Sequence, residues 1–376
     1  DHWMYVSSTG GLTCGRRNPS LALFPYETDD RIHDACHTAG PKTVLHVERD
    51  GVTRLWEPFS TSAGVYRTGH NLYKNLVGNR LVFEEINHDL DISFEYEWSC
   101  SARFGFIRRA AVRNRGGDAD ISLLDGLLNV LPCGVNPNMQ ATRSTLVEAY
   151  RQAEVEPRTG AGIFTLSSIP TDRAEPSEAL QATCAWQHGL KDPAVYLSAD
   201  AVEAFRSGRK PANGTRVQGR RTAYIVTTRL RLGAGEESRW RLLADVGIGP
   251  SAMVSLLATV REGVSADDFE RDIDEGARRL EQRTAAADAF QAPADIRDAT
   301  RHYANTLFNV LRGGVFHDGY RVPSEDFAEF VRSWNAPLAG SADKLLETAG
   351  PELDRAGLLR AARESGNPDL ERLALE

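Results

Sequence analysis

The chain has 376 residues, which is too long for one small domain. Its hydrophobic content of 41% and charged content of 26% are ordinary for a globular protein. Its net charge of −8 argues against nucleic acid as the main partner, because phosphate binding depends on lysine and arginine. No apolar run approaches the roughly 20 residues needed to cross a bilayer, which argues against a membrane as well.

The first residues and the cysteines indicate a reducing compartment. The start, DHWMYVSS, lacks the basic flank and apolar core of a signal peptide. The five cysteines, at positions 14, 36, 100, 133 and 184, are odd in number and widely spaced, which disfavours a disulfide framework or a zinc ribbon. We therefore expect free thiols and a cytoplasmic location.

Residues 1–40 combine a glycine-rich loop with a crowded polar segment. Glycines at positions 10, 11 and 15 permit backbone conformations closed to other residues, and several charged side chains follow between positions 29 and 34. Such a crowd suits the hydroxyls of a sugar; the alternative is a solvated turn held by its own ion pairs. His33, Cys36 and His37 would fit one helical turn as metal ligands, but no fourth ligand is indicated, so we expect no metal.

Alternating hydrophobicity between residues 42 and 131 predicts antiparallel strands. One hairpin turns at Asp50-Gly51, and a second spans residues 72–87 around Gly78-Asn79. Three further runs follow, at 91–98, 104–114 and 121–131, joined by short turns. We expect these three to form one antiparallel sheet and not a βαβ unit.

The β pattern continues, with insertions, to residue 249. Its clearest pair of strands is 221–232 and 238–246, joined by Gly233-Ala234-Gly235. Trp98 and Trp240 lie on the apolar side of their strands, so both are expected in the core. The arginines between 206 and 239 form a stripe that is a solvated outer face or, alternatively, a site for phosphate or acidic glycans. Further strands are predicted at 162–169, 179–186 and 194–197, with a short helix at 198–206.

At Pro250 the period of the apolar residues changes to that of helices. Ser265 and Asp268 form a near capping box before the second helix, and Asn367 is placed to cap the last one. The last helix has no closing signal, so we expect the final unit to be incomplete. The predicted helices are 251–260, 265–290, 296–311, 324–333, 351–364 and 368–376. The predicted domains are a β domain over 1–249, linker helices over 250–292 and a helical unit over 293–376.

Two stretches of the chain are distinctive: WMYVSSTGGLTCGRRNPSLALFPYETDDRIHD and FEYEWSCSARFGFIRRAAVRNRGGDADISLLDGLLNVLPCGV. Both resemble the family 94 glycoside phosphorylases, which include cellobiose phosphorylase and the phosphorylase portion of cyclic β-1,2-glucan synthases. The resemblance implies a large antiparallel β-supersandwich of the galactose-mutarotase type, then linker helices and the start of an (α/α)6-type helical barrel. The segment RHYANTLFNVLRGGVFHDGYRVPSEDFAEFVRSWN departs from the usual start of that barrel, which marks a divergent member.

The resemblance also implies a function. The chain would be the N-terminal portion of a carbohydrate-active enzyme, a glycoside phosphorylase or hydrolase acting on β-glucans or related oligosaccharides. An inverting cleavage needs a carboxylic acid to protonate the glycosidic oxygen. In that family this acid lies in the barrel, and no carboxylate here matches its motif, so we name no catalytic residue.

We therefore expect this span to help close and assemble the substrate site, without performing chemistry itself. No cofactor is expected, with inorganic phosphate as the one co-substrate implied, and the implied partners are an oligosaccharide and a second copy of the chain. The alternative is a non-catalytic carbohydrate-binding or dimerisation protein.

The side chains expected to contact sugar lie in loops that the resemblance places over the mouth of the barrel. Arginines would donate to hydroxyls or a phosphate, aspartates would accept, and aromatic rings would stack. The alternative is that they only hold the loops in shape. They are Trp3, Arg16, Arg17, Tyr26, Asp29, Asp30, His317 and Asp318.

Overall fold

The computed structural model describes residues 2–28, 31–60, 65–75, 78–170, 178–212, 214–287, 295–311, 321–347 and 350–375. The chain divides into two compact units, residues 1–276 and 277–376. The first unit is built mainly from antiparallel strands and the second mainly from helices. The predicted change from strands to helices along the chain is therefore confirmed.

The strands are numbered in chain order. They are β1 (His2–Val6), β2 (Leu12–Arg16), β3 (Gly40–Arg49), β4 (Val52–Trp56), β5 (Thr68–Lys74), β6 (Leu81–Asn87), β7 (Ile92–Ser101), β8 (Gly105–Asn114), β9 (Ala119–Leu128), β10 (Arg151–Val155), β11 (Gly162–Leu166), β12 (Ala182–His188), β13 (Ala194–Ser198), β14 (Arg216–Gln218), β15 (Thr222–Leu232), β16 (Glu237–Ile248), β17 (Arg321–Pro323) and β18 (Glu352–Asp354).

Helices are numbered in the same way. They are α1 (Ile32–Ala35), α2 (Pro137–Thr142), α3 (Ser144–Tyr150), α4 (Asp200–Arg206), α5 (Pro250–Glu262), α6 (Ala266–Ala287), α7 (Ile296–Leu311), α8 (Ser324–Trp334), α9 (Ala339–Glu347), α10 (Arg355–Glu364) and α11 (Pro368–Leu375).

Two large antiparallel sheets make up the first unit. One has nine strands in the order β14-β10-β11-β12-β16-β8-β7-β6-β5, and the other has five in the order β13-β15-β9-β3-β4. Every strand pairing in the described residues is antiparallel. Both predicted hairpins are present, and the first turns at Asp50 and Gly51 with φ of 53° and 74°, the left-handed conformation that such a turn requires.

The centre of these sheets differs from the sequence prediction. The run 121–131 does not join the sheet of the two runs before it, because β8 pairs with β7 and β16 whereas β9 pairs with β3 and β15. The expected pair 221–232 and 238–246 is split in the same way, with β15 in the five-stranded sheet and β16 in the other. Each pair of consecutive strands forms an arch that crosses between sheets. Alternation indicates which side of a strand is buried but not the sheet to which the strand belongs, so it could not separate an arch from a hairpin.

The buried Asn114 connects the turns of the two arches. Its Nδ2 lies 2.7 Å from the carbonyl oxygen of Gly117, in the β8–β9 turn, and 3.0 Å from that of Leu232, at the end of β15. Its Oδ1 accepts from Arg49 at 2.7 Å. Because an unpaired buried amide is costly, these bonds fix the two turns side by side.

A common hydrophobic core fills the space between the two sheets. It takes Phe94, Trp98 and Trp240 from the nine-stranded sheet, and Leu45 and Tyr224 from the five-stranded sheet. Trp98 and Trp240 are buried, which confirms their predicted place in the core.

The first turns of α6 pack on the nine-stranded sheet. Phe269 is fully buried, with its ring 4.9 Å from that of Phe104 and 5.9 Å from that of Trp186. The predicted capping box precedes this helix. Asp268 N–H donates to Ser265 Oγ at 3.2 Å, and Ser265 N–H donates to Asp268 Oδ2 at 3.1 Å.

Residues 277–376 have a core of their own, formed by α8 to α11 with the small sheet β17–β18. Asn367 caps α11 as predicted, accepting from the backbone of Asp369 at 3.1 Å. In α7, the expected apolar stripe is partly buried: Ala299 and Tyr303 are buried, but Ile296 is exposed.

The predicted arginine stripe lies largely at the surface, and the cysteines are unpaired. Of the predicted arginine stripe, residues 209, 216, 220, 221, 229, 231 and 239 are exposed, and residue 206 is half-buried. All five cysteines are free thiols. None of the described helices is both long and apolar enough to cross a membrane.

Candidate functional site

The first unit contains a cavity of about 610 Å³ in which polar and aromatic side chains converge. It is lined by the glycine-rich loop, the segment around α1, the start of β3, the loop after β4 and the last residue of α4. Strands β7 and β8 supply its most buried wall. Cavities of about 300–1,000 Å³ with a few convergent polar groups are typical of small-molecule sites.

Tyr96 places a hydroxyl group in the buried wall. Its side chain is 4% exposed, and the hydroxyl forms no hydrogen bond with any residue in the described part of the chain. Burial raises the pKa of this phenol far above its usual range, although the nearby Arg108 guanidinium opposes that shift, so the group remains a neutral donor and acceptor. At Gly10, with φ of +83°, a Cβ would lie 2.8 Å from this hydroxyl, so a side chain there would fill the space around it.

Arg108, which lines this wall, belongs to a buried ion pair. Arg108, 1% exposed, donates from Nη1 to both oxygens of the fully buried Asp125, at 2.9 and 2.6 Å. Asp125 also accepts from Thr43 Oγ1 at 2.7 Å and from Trp240 Nε1 at 2.6 Å. The Arg108 guanidinium lies 4.7 Å from the centre of the Tyr96 ring, a distance at which a cation attracts the face of an aromatic ring. The pair connects the two sheets and fixes the orientation of Tyr96.

The rim of the cavity carries a carboxylate held between two cations. Glu57 accepts from Arg206 at 3.1 and 3.2 Å and also pairs with Lys42. With Asp34 on the opposite segment, the rim has two positive and two negative side chains, while Asp125 balances Arg108. The cavity therefore offers many donors and acceptors but no excess of either charge.

The segment around α1 also reaches the cavity. His33, Cys36 and His37 line it, and the Cys36 thiol donates to the carbonyl oxygen of His33 at 3.1 Å. Burial raises the pKa of this thiol, so it is a thiol and not a thiolate at neutral pH. The described residues contain no group of three or more histidine, cysteine, aspartate or glutamate side chains arranged to hold a metal ion.

The structure brings the glycine-rich loop and the polar segment together, but not through the side chains expected to contact sugar. Arg16 forms a two-pronged ion pair with Asp245, at 2.9 and 2.8 Å. The half-buried Trp3 lies edge-on to Tyr26, with the ring centres 5.9 Å apart. Arg17 has a left-handed backbone, with φ of 53°. None of the four predicted residues Trp3, Arg16, Arg17 and Tyr26 lines the cavity.

The other four predicted residues lie outside the described part of the chain. They are Asp29, Asp30, His317 and Asp318.

Sequence reasoning missed the residues that define the cavity. Two signals were present in the sequence. Arg108 lies on the same side of its strand as the apolar Phe106 and Ala110, and Asp125 lies on the same side as Leu123 and Leu127. A charge on the apolar side of a strand indicates a buried pair or a site, because an unpaired buried charge is very costly. Lys42, Glu57 and Arg206 gave no such signal, since each lies near the end of an element, where charged residues are ordinary.

No family model matches the chain, and no sequence among the curated proteins is significantly similar to it. Among solved structures, a bacterial glucoamylase complexed with acarbose is 9% identical, with a TM-score of 0.49 over 95% of this chain and 50% of that one. A putative kojibiose phosphorylase from the human microbiome is 11% identical, with a TM-score of 0.42 over 70% and 31%. A polysaccharide lyase is 10% identical, with a TM-score of 0.41 over 68% and 34%. This chain thus spans half or less of the length of these proteins, and likenesses at this level do not establish a family or an activity.

Proposed function

We propose that this chain is a carbohydrate-binding portion of a carbohydrate-processing protein, and that the cavity beside Tyr96 binds a neutral sugar. The observation that carries the proposal is the Tyr96 hydroxyl, which lies in the wall of the cavity and has no hydrogen-bond partner among the described residues. A ligand hydroxyl placed beside it would form a hydrogen bond with a net value of about 0.5–1.5 kcal/mol.

The charges around the cavity favour a neutral ligand. Lys42 and Arg206 are balanced by Glu57 and Asp34, so a phosphate or carboxylate would meet as much repulsion as attraction. A sugar hydroxyl both donates and accepts, and it can therefore bond to either kind of group on the rim. Aromatic rings beside these polar groups would cover the apolar side of a sugar ring.

The finer assignment follows the resemblance to family 94 phosphorylases. On this proposal the two sheets are a β-supersandwich, residues 250–292 are linker helices, and residues 293–376 begin an (α/α)6-type barrel. The chain would help close and assemble the substrate site of a phosphorylase or hydrolase, in the cytoplasm and as a homodimer, with phosphate as a co-substrate elsewhere in the protein. No catalytic role is assigned to a residue of this chain.

A free-standing carbohydrate-binding protein is the second candidate. It is favoured by the fact that every residue lining the cavity belongs to the unit 1–276. Binding at this cavity would then need no other part of the protein.

Calorimetric titration of the purified chain tests sugar binding. The panel is glucose, cellobiose, laminaribiose and maltose, with inorganic phosphate as the anionic comparison. We expect at least one sugar to bind and phosphate not to bind. Tyr96→Phe removes only the hydroxyl and should weaken sugar affinity about 2- to 13-fold, the equivalent of one hydrogen bond of 0.5–1.5 kcal/mol.

Stability separates a ligand contact from a structural one. Because the hydroxyl bonds to no described residue, Tyr96→Phe removes no hydrogen bond of the folded chain and should not lower the melting temperature. Tyr73→Phe, which removes an exposed hydroxyl on β5, is the matched control and should not change affinity. The proposal fails if no sugar binds, or if Tyr96→Phe lowers the melting temperature and leaves affinity unchanged.

A further inference from the structure

Phe59 has a backbone conformation that bulky residues rarely adopt. Its φ is 61°, in the left-handed region, where a side chain with a Cβ meets the following carbonyl oxygen. Such strain persists only where the surroundings hold it, and it is concentrated at ligand-binding and active sites. Phe59 lines the cavity, which gives the conformation a location where it could serve binding.

Glu85 holds the segment that carries Phe59. This carboxylate is 4% exposed and accepts from the backbone N–H of Phe59 at 2.5 Å. It also accepts from Trp56 Nε1 at 2.9 Å and lies 2.9 Å from His70 Nε2. A charged acceptor makes strong hydrogen bonds, so one buried carboxylate fixes both ends of the short segment 56–59.

Neighbouring rings fix the direction of the Phe59 side chain. Its ring lies edge-on to those of Tyr96, at 5.3 Å, and of Phe83 and Phe94, at 6.3 and 6.2 Å. The other three rings are buried, whereas Phe59 is half-buried. Among these aromatic side chains, Phe59 is therefore the one with ring surface left for a ligand.

We infer that Phe59 is the ring on which the ligand stacks, so that the site selects a closed pyranose ring and not an open-chain polyol. This inference rests on the proposed sugar binding. Phe59 lines the same cavity as Glu57 and Tyr96, and its ring lies 5.3 Å from the Tyr96 ring. A pyranose has a flat C–H face that an aromatic ring can cover, while its hydroxyls reach the polar groups at the edge. An alditol has the same hydroxyl chemistry but no such face.

Titrations with glucose and its alditol, sorbitol, and with cellobiose, test the stacking. Wild type should bind the pyranoses at least fivefold more tightly than sorbitol. Phe59→Leu should weaken pyranose binding about five- to tenfold, in the range measured for aromatic contacts, and leave sorbitol binding unchanged. Phe59→Trp, with a larger ring, should bind pyranoses at least as tightly as wild type. Phe330→Leu, a half-buried phenylalanine in residues 277–376, is the matched control and should behave as wild type.

The strain in the left-handed backbone of Phe59 can be tested without a ligand. Phe59→Gly should melt at a higher temperature than Phe59→Ala, because both lose the ring but only glycine adopts φ of 61° without strain. Equal melting temperatures would overturn that claim. If Tyr96→Phe weakens sugar binding but Phe59→Leu does not, the stacking role is wrong and the proposed function stands. If wild type binds none of the sugars, both are wrong.

Discussion

For the buried pair of Arg108 and Asp125, we predict that removing both charges costs less free energy of unfolding than removing either one. Arg108→Met leaves the Asp125 carboxylate buried with only two neutral donors, and Asp125→Asn leaves the Arg108 guanidinium buried without a counter-charge. Removing one partner of a buried ion pair costs about 3–5 kcal/mol, so each single variant should lose that much free energy of unfolding.

The double variant Arg108→Met/Asp125→Asn should be more stable than either single variant. It buries no charge, and the remaining amide oxygen still accepts from Trp240 or Thr43. The loss should therefore be that of hydrogen bonds alone, about 1–3 kcal/mol. Arg113→Met, on the same strand, removes an exposed partner of Glu237 and should cost no more than about 1 kcal/mol.

Urea unfolding at pH 7, followed by tryptophan fluorescence, measures these values. Five of the six tryptophans lie in residues 1–276, so the signal reports mainly on the unit that contains the pair. If the costs of the single variants simply add in the double variant, the pair is not coupled through charge and the reasoning is refuted.

Two further predictions concern the pH dependence of the free energy of unfolding and the packing of α6 on the nine-stranded sheet. Burial, with help from Arg16, lowers the pKa of His2 from 6.5 to about 4, so between these values the unfolded chain binds a proton that the folded chain does not. The free energy of unfolding should fall by up to about 1.4 kcal/mol per pH unit as pH drops through that window, and His2→Gln should remove this contribution in urea titrations at pH 7, 5.5 and 4.5; an identical pH profile for the variant would contradict the assignment. Phe269→Ala should cost about 3–5 kcal/mol and increase hydrogen exchange in α6, because it empties a buried aromatic cluster. The control is Val254→Ala on the exposed side of α5, and equal losses from the two changes would show that the cluster does not hold the helix.

Local patterns predicted most elements because their causes are local. Alternation located most strands of the two large sheets but not β10 or β14, Asp50-Gly51 located a turn, and Ser265 with Asp268 located the start of α6. The helix α2 was missed although Asn136 and Pro137 are a regular start signal, and Asn136 does accept from Met139 N–H at 2.9 Å. A six-residue helix carries too few turns for a periodic pattern to appear.

The candidate site was harder to predict because it depends on long-range placement. Tyr96 lies on the same side of its strand as Phe94 and Trp98, which predicts a core residue, yet its hydroxyl matters only because Gly10 and α1 leave a space beside it. Phe59 follows β4 by three residues, and nothing in the sequence indicates its left-handed backbone, which depends on Glu85 from another strand. Trp3, Arg16, Arg17 and Tyr26 do not line the cavity, because neither residue type nor loop position determines the direction of a side chain. The other four predicted sugar contacts lie outside the described residues.

The two arches also constrain the order in which the first unit can fold. Strand β8 meets its neighbour β16 through pairs such as Arg109 with Arg241, and β9 meets β15 through pairs such as Leu127 with Tyr224. During synthesis, β5 to β8 are therefore complete while β8 is still an open edge, and it stays open until the second arch has left the ribosome. Such late, distant pairings slow folding, and an exposed edge invites pairing with other chains. The middle of both sheets is thus the last part to close, and Asn114, which bonds to both turns, can complete its contacts only at that moment.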